Sequence, residues 1–524
     1  MALAQSAVWD NAKPVLNSPD ETSNLFFAKL FADHNTLKFQ DPANQIANGL
    51  VTPRSMRVIN GFTVPAGFLG LPLIYGTLAK LTGECAIPFF TPIIAIVGLL
   101  FFYCLIKEIF DKNTAFVAAL FAFILPPFWY YATKGLMPNV AFVSFFIMAL
   151  YFFIRAINGK KWWLFALAGL FAGLALMVRT SEVVWLAPLF LLLVAFNFRK
   201  VKWGYLLLSF LVFLATLAPI FYFNKQIYGS VFSVGYSLAI DLSNKDILGQ
   251  SLTLAQKIFL PFGFNPQAAL KNLTNYTVRI FPLWSFLIGF GWLITTLYWL
   301  TAKKLANRKV YLLYNLLFLL IGAYLVIFYG SWLFSDNPDP EAVTIGTSYI
   351  RYWLPLYLFS LPFLAYLLIN AFKRFKLAGP VFIVYLWLLC GFTSYQLVML
   401  NDQEGILAVQ KNINEYQIIA TEVINRTPAK AVIIADRLDK VFFPDRSVIF
   451  RLNVAADYVR INELIAGGYP VYWFNFTRTA DDLAYFNKQS FEPYRLKLGN
   501  SLLSFAKQSL YPVEIIPKGF LREK

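Results

Sequence analysis

Between residues 87 and 398 the chain returns repeatedly to apolar runs of roughly twenty residues, and that rhythm limits its fold more than any single motif. The blocks lie at about 87–107, 114–132, 136–155, 162–178, 182–197, 203–223, 279–301, 309–329, 350–371 and 378–398. A helix rises 1.5 Å per residue, so about twenty residues cover the ~30 Å hydrocarbon layer of a bilayer. Only helices and closed barrels satisfy their backbone groups there. The expected fold is mainly α: a polytopic membrane helical bundle of about ten spans, followed by a small C-terminal α/β soluble domain. Composition agrees, with 58% hydrophobic and 14% charged residues, against about 45–50% and about 25% in soluble domains.

The net charge of +17 raises the question of nucleic acid, but its distribution argues against that partner. Lys107 and Lys112, then Arg155, Lys160 and Lys161, then Arg199, Lys200 and Lys202 fall in alternate loops. So do Lys303, Lys304, Arg308 and Lys309, and then Lys373, Arg374 and Lys376. No basic stripe with interleaved aromatics marks a soluble face. Alternation of this kind is the positive-inside pattern and places these loops in the cytoplasm. The parity holds if the block 62–82, broken by Pro65, Gly67, Gly70, Pro72 and Gly76, does not cross but lies in the interface or re-enters. Residues 1–61, 224–278, 330–349 and 399–524 then face outward. An outward N-terminus ordinarily follows a span or a signal, and MALAQSAVWDNAKPV has neither a basic start nor an apolar core. A first span is therefore expected to be missing.

Three regions follow: an outward loop 1–61 with amphipathic juxtamembrane helices, a transmembrane domain 62–398, and an extracytoplasmic α/β domain 399–524. In the last, 404–426 and ADYVRINELIAG read as helices, and AVIIA (431–435), SVIF (447–450) and VYWFNF (471–476) as strands. It shows no Gly-rich phosphate loop and reads as accessory. The single histidine, His34, removes HExxH zinc hydrolysis and leaves no histidine triad unless His34 itself serves. Cys85, Cys104 and Cys390 give neither a disulfide framework nor zinc spacing, and no GxxxxGK[ST] loop is present. Three Asn-x-Thr tripeptides, at Asn272, Asn275 and Asn475, read as chance occurrences.

Two local clusters carry charge where chemistry or structure could use it. Ser18-Pro19-Asp20-Glu21 has the form of a capping box, with Pro at the first helical position and Glu three residues after the cap. Phe26, Phe27, Leu30 and Phe31 follow at helical spacing. Arg179 and Glu182 interrupt two short apolar blocks and read either as a structural ion pair or as functional charges at depth.

The order of these features resembles the GT-C glycosyltransferases, closest to the protein mannosyltransferase and aminoarabinose transferase branch (families 39 and 83). The residues that carry the likeness are PDETSNLFFAKLF (19–31), VTPRSMRVINGFTVPAGFLGLPLIYG (51–76), PPFWYYATKGLMPNVAFVSFFIMALYFF (126–153) and SYIRYWLPLY (348–357). Such enzymes take a sugar from a polyprenyl-phosphate carrier on the non-cytoplasmic face. The resemblance therefore implies a multi-pass protein of a prokaryotic plasma membrane with an extracytoplasmic site. Its partners would be membrane lipid, the lipid-linked donor, and a glycan, lipid or protein acceptor, with no nucleic acid. No resident cofactor or divalent metal is implied.

By the same resemblance Asp20 falls at the catalytic acid, with Glu21 as second member of the pair. An attacking hydroxyl needs a base in reach, while a leaving phosphate needs fixed positive charge or hydrogen-bond donors. For that phosphate Arg351 is the leading candidate, beside Tyr349, with Lys134 and Arg279 behind it. Arg54, Arg57, Asn139 and Tyr349 make a candidate substrate loop set. Asn139 stands where many members have an acid, and the WWD signature of oligosaccharyltransferases is missing, since Trp162-Trp163 is followed by Leu. A polytopic lipid or glycolipid flippase and a non-catalytic glycan-binding relative stay open as alternatives.

Overall fold

The computed structural model describes residues 15–236, 254–505 and 507–517, apart from residues 335, 338, 340, 374 and 376. The N-terminal stretch 1–14, part of the outward segment 224–278, and Arg374 and Lys376 of the last basic loop lie outside the described residues. The chain divides into two compact units: Met1–Ile87 with Phe223–Tyr236 and Gln410–Lys524, and Pro88–Tyr222 with Ser237–Val409.

The second unit is helical. Among the described residues seven helices of the chain are long and apolar enough to cross a bilayer: Glu84–Ile109, Pro138–Gly159, Trp203–Tyr228, Pro282–Thr301, Arg308–Gly330, Leu354–Phe372 and Ala378–Val398. Two bent pairs raise the count to nine if each is one span. Lys112–Phe123 and Pro126–Thr133 meet at 56°, where Pro126 and Pro127 withhold backbone donors. Trp162–Val178 and Thr180–Phe196 meet at 119°, at the Arg179–Glu182 break. The ten sequence blocks thus resolve into seven to nine spans, because the blocks at 162–178 and 182–197 are each too short to cross alone and the block 114–132 is broken at Pro126.

Burial separates inner from outer helices. The apolar windows of Pro138–Gly159 and Leu354–Phe372 are 78% and 67% buried, whereas the other five lie between 17% and 39%. The outer helices expose Phe286, Leu293 and Leu297, or Leu207, Phe210 and Leu214, a surface suited to lipid tails rather than water. Trp162–Val178 and Trp203–Tyr228 approach through small residues: a Cβ on Gly169 would lie 2.0 Å from the Ser209 carbonyl oxygen, and one on Gly173 2.6 Å from Thr216 Cβ. Small residues four apart let membrane helices close on each other.

The first unit joins both ends of the chain. Helix Pro19–His34 packs on Gly70–Thr82. The latter has 13 residues, about 20 Å at helical rise and short of the hydrocarbon thickness. The front of the block 62–82 is instead strand β2 (Phe62–Pro65), antiparallel to β1 (Met56–Ile59). Asn60 and Gly61 turn between them at φ 52° and 78°, the left-handed pair that a two-residue hairpin demands.

The C-terminal sheet contains β3 (Val432–Ile434), β4 (Ser447–Ile449), β5 (Val471–Phe476), β6 (Leu496–Leu498), β7 (Leu503–Phe505) and β8 (Gln508–Ile515). Its order is β4-β3-β5-β8-β6, with β7 also on β8. β3 is parallel to β4 and β5, and β8 is antiparallel to its neighbours. Helices Ile406–Arg426 and Ala455–Ala466 fall where expected. Ala43, Ala47 and Val51 share one core with Val432, Ile449, Ile461 and Trp473, and Thr52 bridges Ile449. Residues 43–52 are therefore built into the C-terminal core.

Candidate functional site

In the first unit the cap at Ser18 is real. The Ser18 hydroxyl accepts from Asp20 N at 3.3 Å, and the Glu21 carboxylate accepts from Ser18 N at 3.1 Å. Glu21 is buried and occupied by the cap, while Asp20, one residue earlier, is half-buried. The Ser55 hydroxyl donates to Asp20 Oδ1 at 2.6 Å.

Ser55 lies just before β1 with φ 61°, a left-handed conformation that costs a non-glycine residue of order 1–2 kcal/mol. Three hydrogen-bonding neighbours hold it there. Its carbonyl accepts from Ser23 Oγ and from Ala66 N, each at 3.0 Å. Arg54, next in sequence, donates N–H to Asp439 Oδ2 at 2.7 Å and Nε–H to Oδ1 at 2.9 Å. Its Nη2 reaches Oδ1 at 2.7 Å and the Arg437 carbonyl at 2.5 Å. Asp439 is fully buried. This forked pairing gives Arg54 a structural employment rather than an open phosphate-binding one. Arg57, on β1, is half-buried near Tyr228 and Tyr236; burial pulls its guanidinium below its ordinary range, and those phenols oppose the shift.

In the second unit Arg351 is buried on the short helix Ser348–Tyr352. Its Nη2 donates to Ser348 Oγ at 2.8 Å, and its Nη1 lies 2.8 Å from Met137 Sδ. Ser348 donates its N–H and Oγ–H to Asp336 at 2.8 and 3.0 Å. The guanidinium sits 5.2 Å from the Tyr352 ring centre, and that of Arg179 sits 4.7 Å from the same ring. Arg179 pairs with Glu182 at 2.8 Å and with Tyr329 Oη at 2.8 Å. The Tyr329 hydroxyl donates to Glu182 at 2.5 Å, and Trp185 Nε1 donates to its other oxygen at 2.6 Å. Arg351 and the Arg179–Glu182 pair, two separate features in sequence, thus form one buried polar cluster around Tyr352.

The loop before this helix is clamped. Tyr131 Oη is 3.2 Å from the carbonyls of Ile345 and Thr347, and Glu404 accepts from Gly346 N at 2.9 Å and from Thr344 Oγ1. Tyr349 donates to the Trp332 carbonyl, and its ring lies tilted at 33° to that of Tyr276 with centres 4.8 Å apart. Its phenol is pushed up to about 12, first by burial, then by Tyr276 and Asp336. Lys134 ends Pro126–Thr133 with its ammonium 4.9 Å from the Tyr130 ring. Arg279 is exposed at the end of a turn before Pro282–Thr301. Asn139 is buried in the first turn of Pro138–Gly159.

A largely apolar cavity of about 250 Å³ lies among Ile87–Ile109, Pro138–Gly159, Val183–Phe196, Arg308–Gly330 and Leu354–Phe372. Trp185 and Leu325 line it, as do the polar Glu108, Asn158, Asn197 and Lys200. Trp185 also touches Glu182, so cavity and polar cluster adjoin.

Ser55, Asp439, Asp336, Ser348 and Tyr329 were not sequence candidates. Ser55 and Ser348 lie inside stretches that carry the family likeness without being singled out there, and the partners of Ser55, Asp439 and Tyr329 lie far away in the chain.

Residues 70–223 match the family described as dolichyl-phosphate-mannose-protein mannosyltransferase. The structure is similar to that of ArnT from Cupriavidus metallidurans bound to undecaprenyl phosphate. The TM-score is 0.55 at 10% identity, covering 95% of this chain and 94% of that one. It is also similar to the Archaeoglobus fulgidus oligosaccharyltransferase in the apo form, with TM-score 0.50 at 13% identity, covering 88% of this chain and 66% of that one. The same oligosaccharyltransferase tethered to an acceptor peptide gives 0.51 at 13% identity, covering 88% and 65%. No curated protein sequence matches the chain. The family match covers residues 70–223, less than half of the chain, and the likeness to the two solved structures is one of fold.

Proposed function

We propose that the chain transfers a sugar from a polyprenyl-phosphate-linked donor to an acceptor hydroxyl or amine on the extracytoplasmic side, with Asp20 as general base. The observation that carries this reading is the Asp20 carboxylate itself. It is half-buried in the first turn of a helix and held at Oδ1 by the Ser55 hydroxyl at 2.6 Å, while its neighbour Glu21 is taken by the cap. The acceptor O–H attacks the anomeric carbon and its proton passes to Asp20. The anomeric C–O bond breaks, and its electron pair leaves on the polyprenyl phosphate. A phosphate leaves readily, so this step needs no second, protonated carboxyl.

Arg351 is assigned to the phosphate of the donor, with Lys134 and Arg279 as further cations and Tyr349 and Asn139 as polar lining. The buried cluster supports this: Arg351 is oriented by Ser348 and Asp336. Preorganised donors act most strongly where water is excluded. The adjoining apolar cavity has the character an isoprenoid tail requires, and the relative from Cupriavidus metallidurans is described with undecaprenyl phosphate bound. The reading calls for no resident cofactor.

The test uses purified full-length chain in lipid nanodiscs with radiolabelled mannosyl- and aminoarabinosyl-phosphoundecaprenol, offered membrane extract as acceptor. Label moves to acceptor with the wild type and stops with Asp20→Asn, whose melting temperature is unchanged. Full transfer by Asp20→Asn rejects the assigned base. Flux of lipid-linked sugar across liposomes without transfer, insensitive to Asp20→Asn, would establish a flippase instead.

A further inference from the structure

We infer that Ser55 is the positioning residue for Asp20, and that Asp439 of the C-terminal α/β region sets Ser55 through Arg54. The inference rests on the assignment of Asp20 as base.

A carboxylate in the first turn of a helix turns about two side-chain torsions, and a base is effective only when its lone pair is aimed. The Ser55 O–H on Oδ1, at 2.6 Å, restrains that rotation. Ser55 can offer the hydroxyl there because its backbone is held at φ 61°. Such conformations persist when their surroundings over-determine them, and they concentrate at functional sites. Here the surroundings are specific. The Ser55 carbonyl is fixed from helix Pro19–His34 through Ser23 and from the end of β2 through Ala66.

On its other side Arg54 is locked by one carboxylate. Asp439 takes the Arg54 backbone N–H on Oδ2 at 2.7 Å and its guanidinium on Oδ1 at 2.7 and 2.9 Å. The planar, five-donor guanidinium makes this fork rigid in a way lysine cannot copy. Because Asp439 grips the backbone of Arg54 as well as its side chain, it fixes the peptide that leads into Ser55. A carboxylate 385 positions away in sequence from Arg54 thereby bears on the orientation of Asp20. The C-terminal region serves the reaction as well as the fold.

The discriminating variant is Ser55→Gly, which deletes the hydroxyl while taking a positive φ without strain. A purely structural Ser55 predicts a fold at least as stable and an unchanged rate. A positioning Ser55 predicts that same stability with kcat reduced roughly tenfold or more, since small misplacements of a reacting group carry large rate penalties, and with donor KM unchanged. Asp439→Asn should lower kcat less, and should add no further loss in the Ser55→Gly background, because its effect runs through Ser55. Rates are taken from label transfer out of mannosyl-phosphoundecaprenol by the full chain in nanodiscs, with melting temperatures recorded alongside.

Wild-type kcat in Ser55→Gly overturns the inference. Independent, multiplying losses in the double variant overturn the Asp439 link. If Asp439→Asn does not fold, Ser55→Gly still decides the role of the hydroxyl. An inactive Asp20→Asn beside a fully active Ser55→Gly fails this inference alone; an active Asp20→Asn fails the assignment of the base.

Discussion

The guanidinium of Arg179 sits 4.7 Å from the ring centre of Tyr352, the residue that follows Arg351. Through this contact a buried ion pair at the bend of one helical pair becomes the neighbour of the candidate phosphate-binding arginine. Glu182 is the hub, accepting from Arg179, Tyr329 and Trp185.

Breaking that hub from one side leaves an uncompensated buried charge. Arg179→Met and Glu182→Leu are each expected to cost about 3–5 kcal/mol, whereas replacing both together recovers much of the loss. Unfolding in a fixed detergent, followed by intrinsic fluorescence, measures all three variants. Losses that simply add would mean the two side chains act independently.

Arg351→Lys keeps the charge but loses the planar fork that meets Ser348 and the Tyr352 ring. If Arg351 holds the donor phosphate, added undecaprenyl phosphate raises the melting temperature of the wild type through preferential binding to the folded state. The variant should give a much smaller rise. Equal rises in both proteins would remove Arg351 from the phosphate site.

Gly173 faces Thr216 with no room for a side chain. Gly173→Leu should separate Trp162–Val178 from Trp203–Tyr228 and destabilise the protein by about 1–3 kcal/mol, the usual range for overpacking. Gly204→Ala, where a Cβ would meet nothing within 4 Å, is the matched control. Similar thermal shifts in the two variants would contradict the close approach.

Tyr349 carries a phenol pushed up to about 12, chiefly by burial. The folded protein then keeps this proton at a pH where the unfolded chain, titrating near 10, has lost it. Above pH ~10 the unfolded state binds fewer protons, so stability falls with rising pH. The contribution is fully present below about 10 and lost as pH passes about 12. Tyr349→Phe should lack this part of the alkaline decline in a stability–pH curve. An identical decline would place its source elsewhere.

The membrane-spanning character, the mainly helical class and the start of the helix at Pro19 are all legible in the chain before it folds. These are local consequences of apolar run length and of capping chemistry, which act between residues a few positions apart. Strands β3, β4 and β5 were equally legible, since short apolar β-branched runs identify themselves. The strands at Leu496–Leu498, Leu503–Phe505 and Gln508–Ile515 were not, because polar residues and Pro512 dilute their pattern. Asn60-Gly61 was a readable turn signal inside a stretch whose apolar content drew attention to the bilayer.

Which long-range partners the charged residues meet is settled only by packing between distant segments. The capping box that takes Glu21 is legible in local sequence, whereas the Ser55 hydroxyl on Asp20 is supplied by the fold. Local sequence cannot show that Arg54 is committed to Asp439, or that Arg351 shares a cluster with Arg179. Those pairings depend on hydrogen bonds and ring contacts between residues brought together only when distant segments pack. Electrostatic function follows the burial and geometry of such contacts, neither of which is written in the neighbourhood of any one residue.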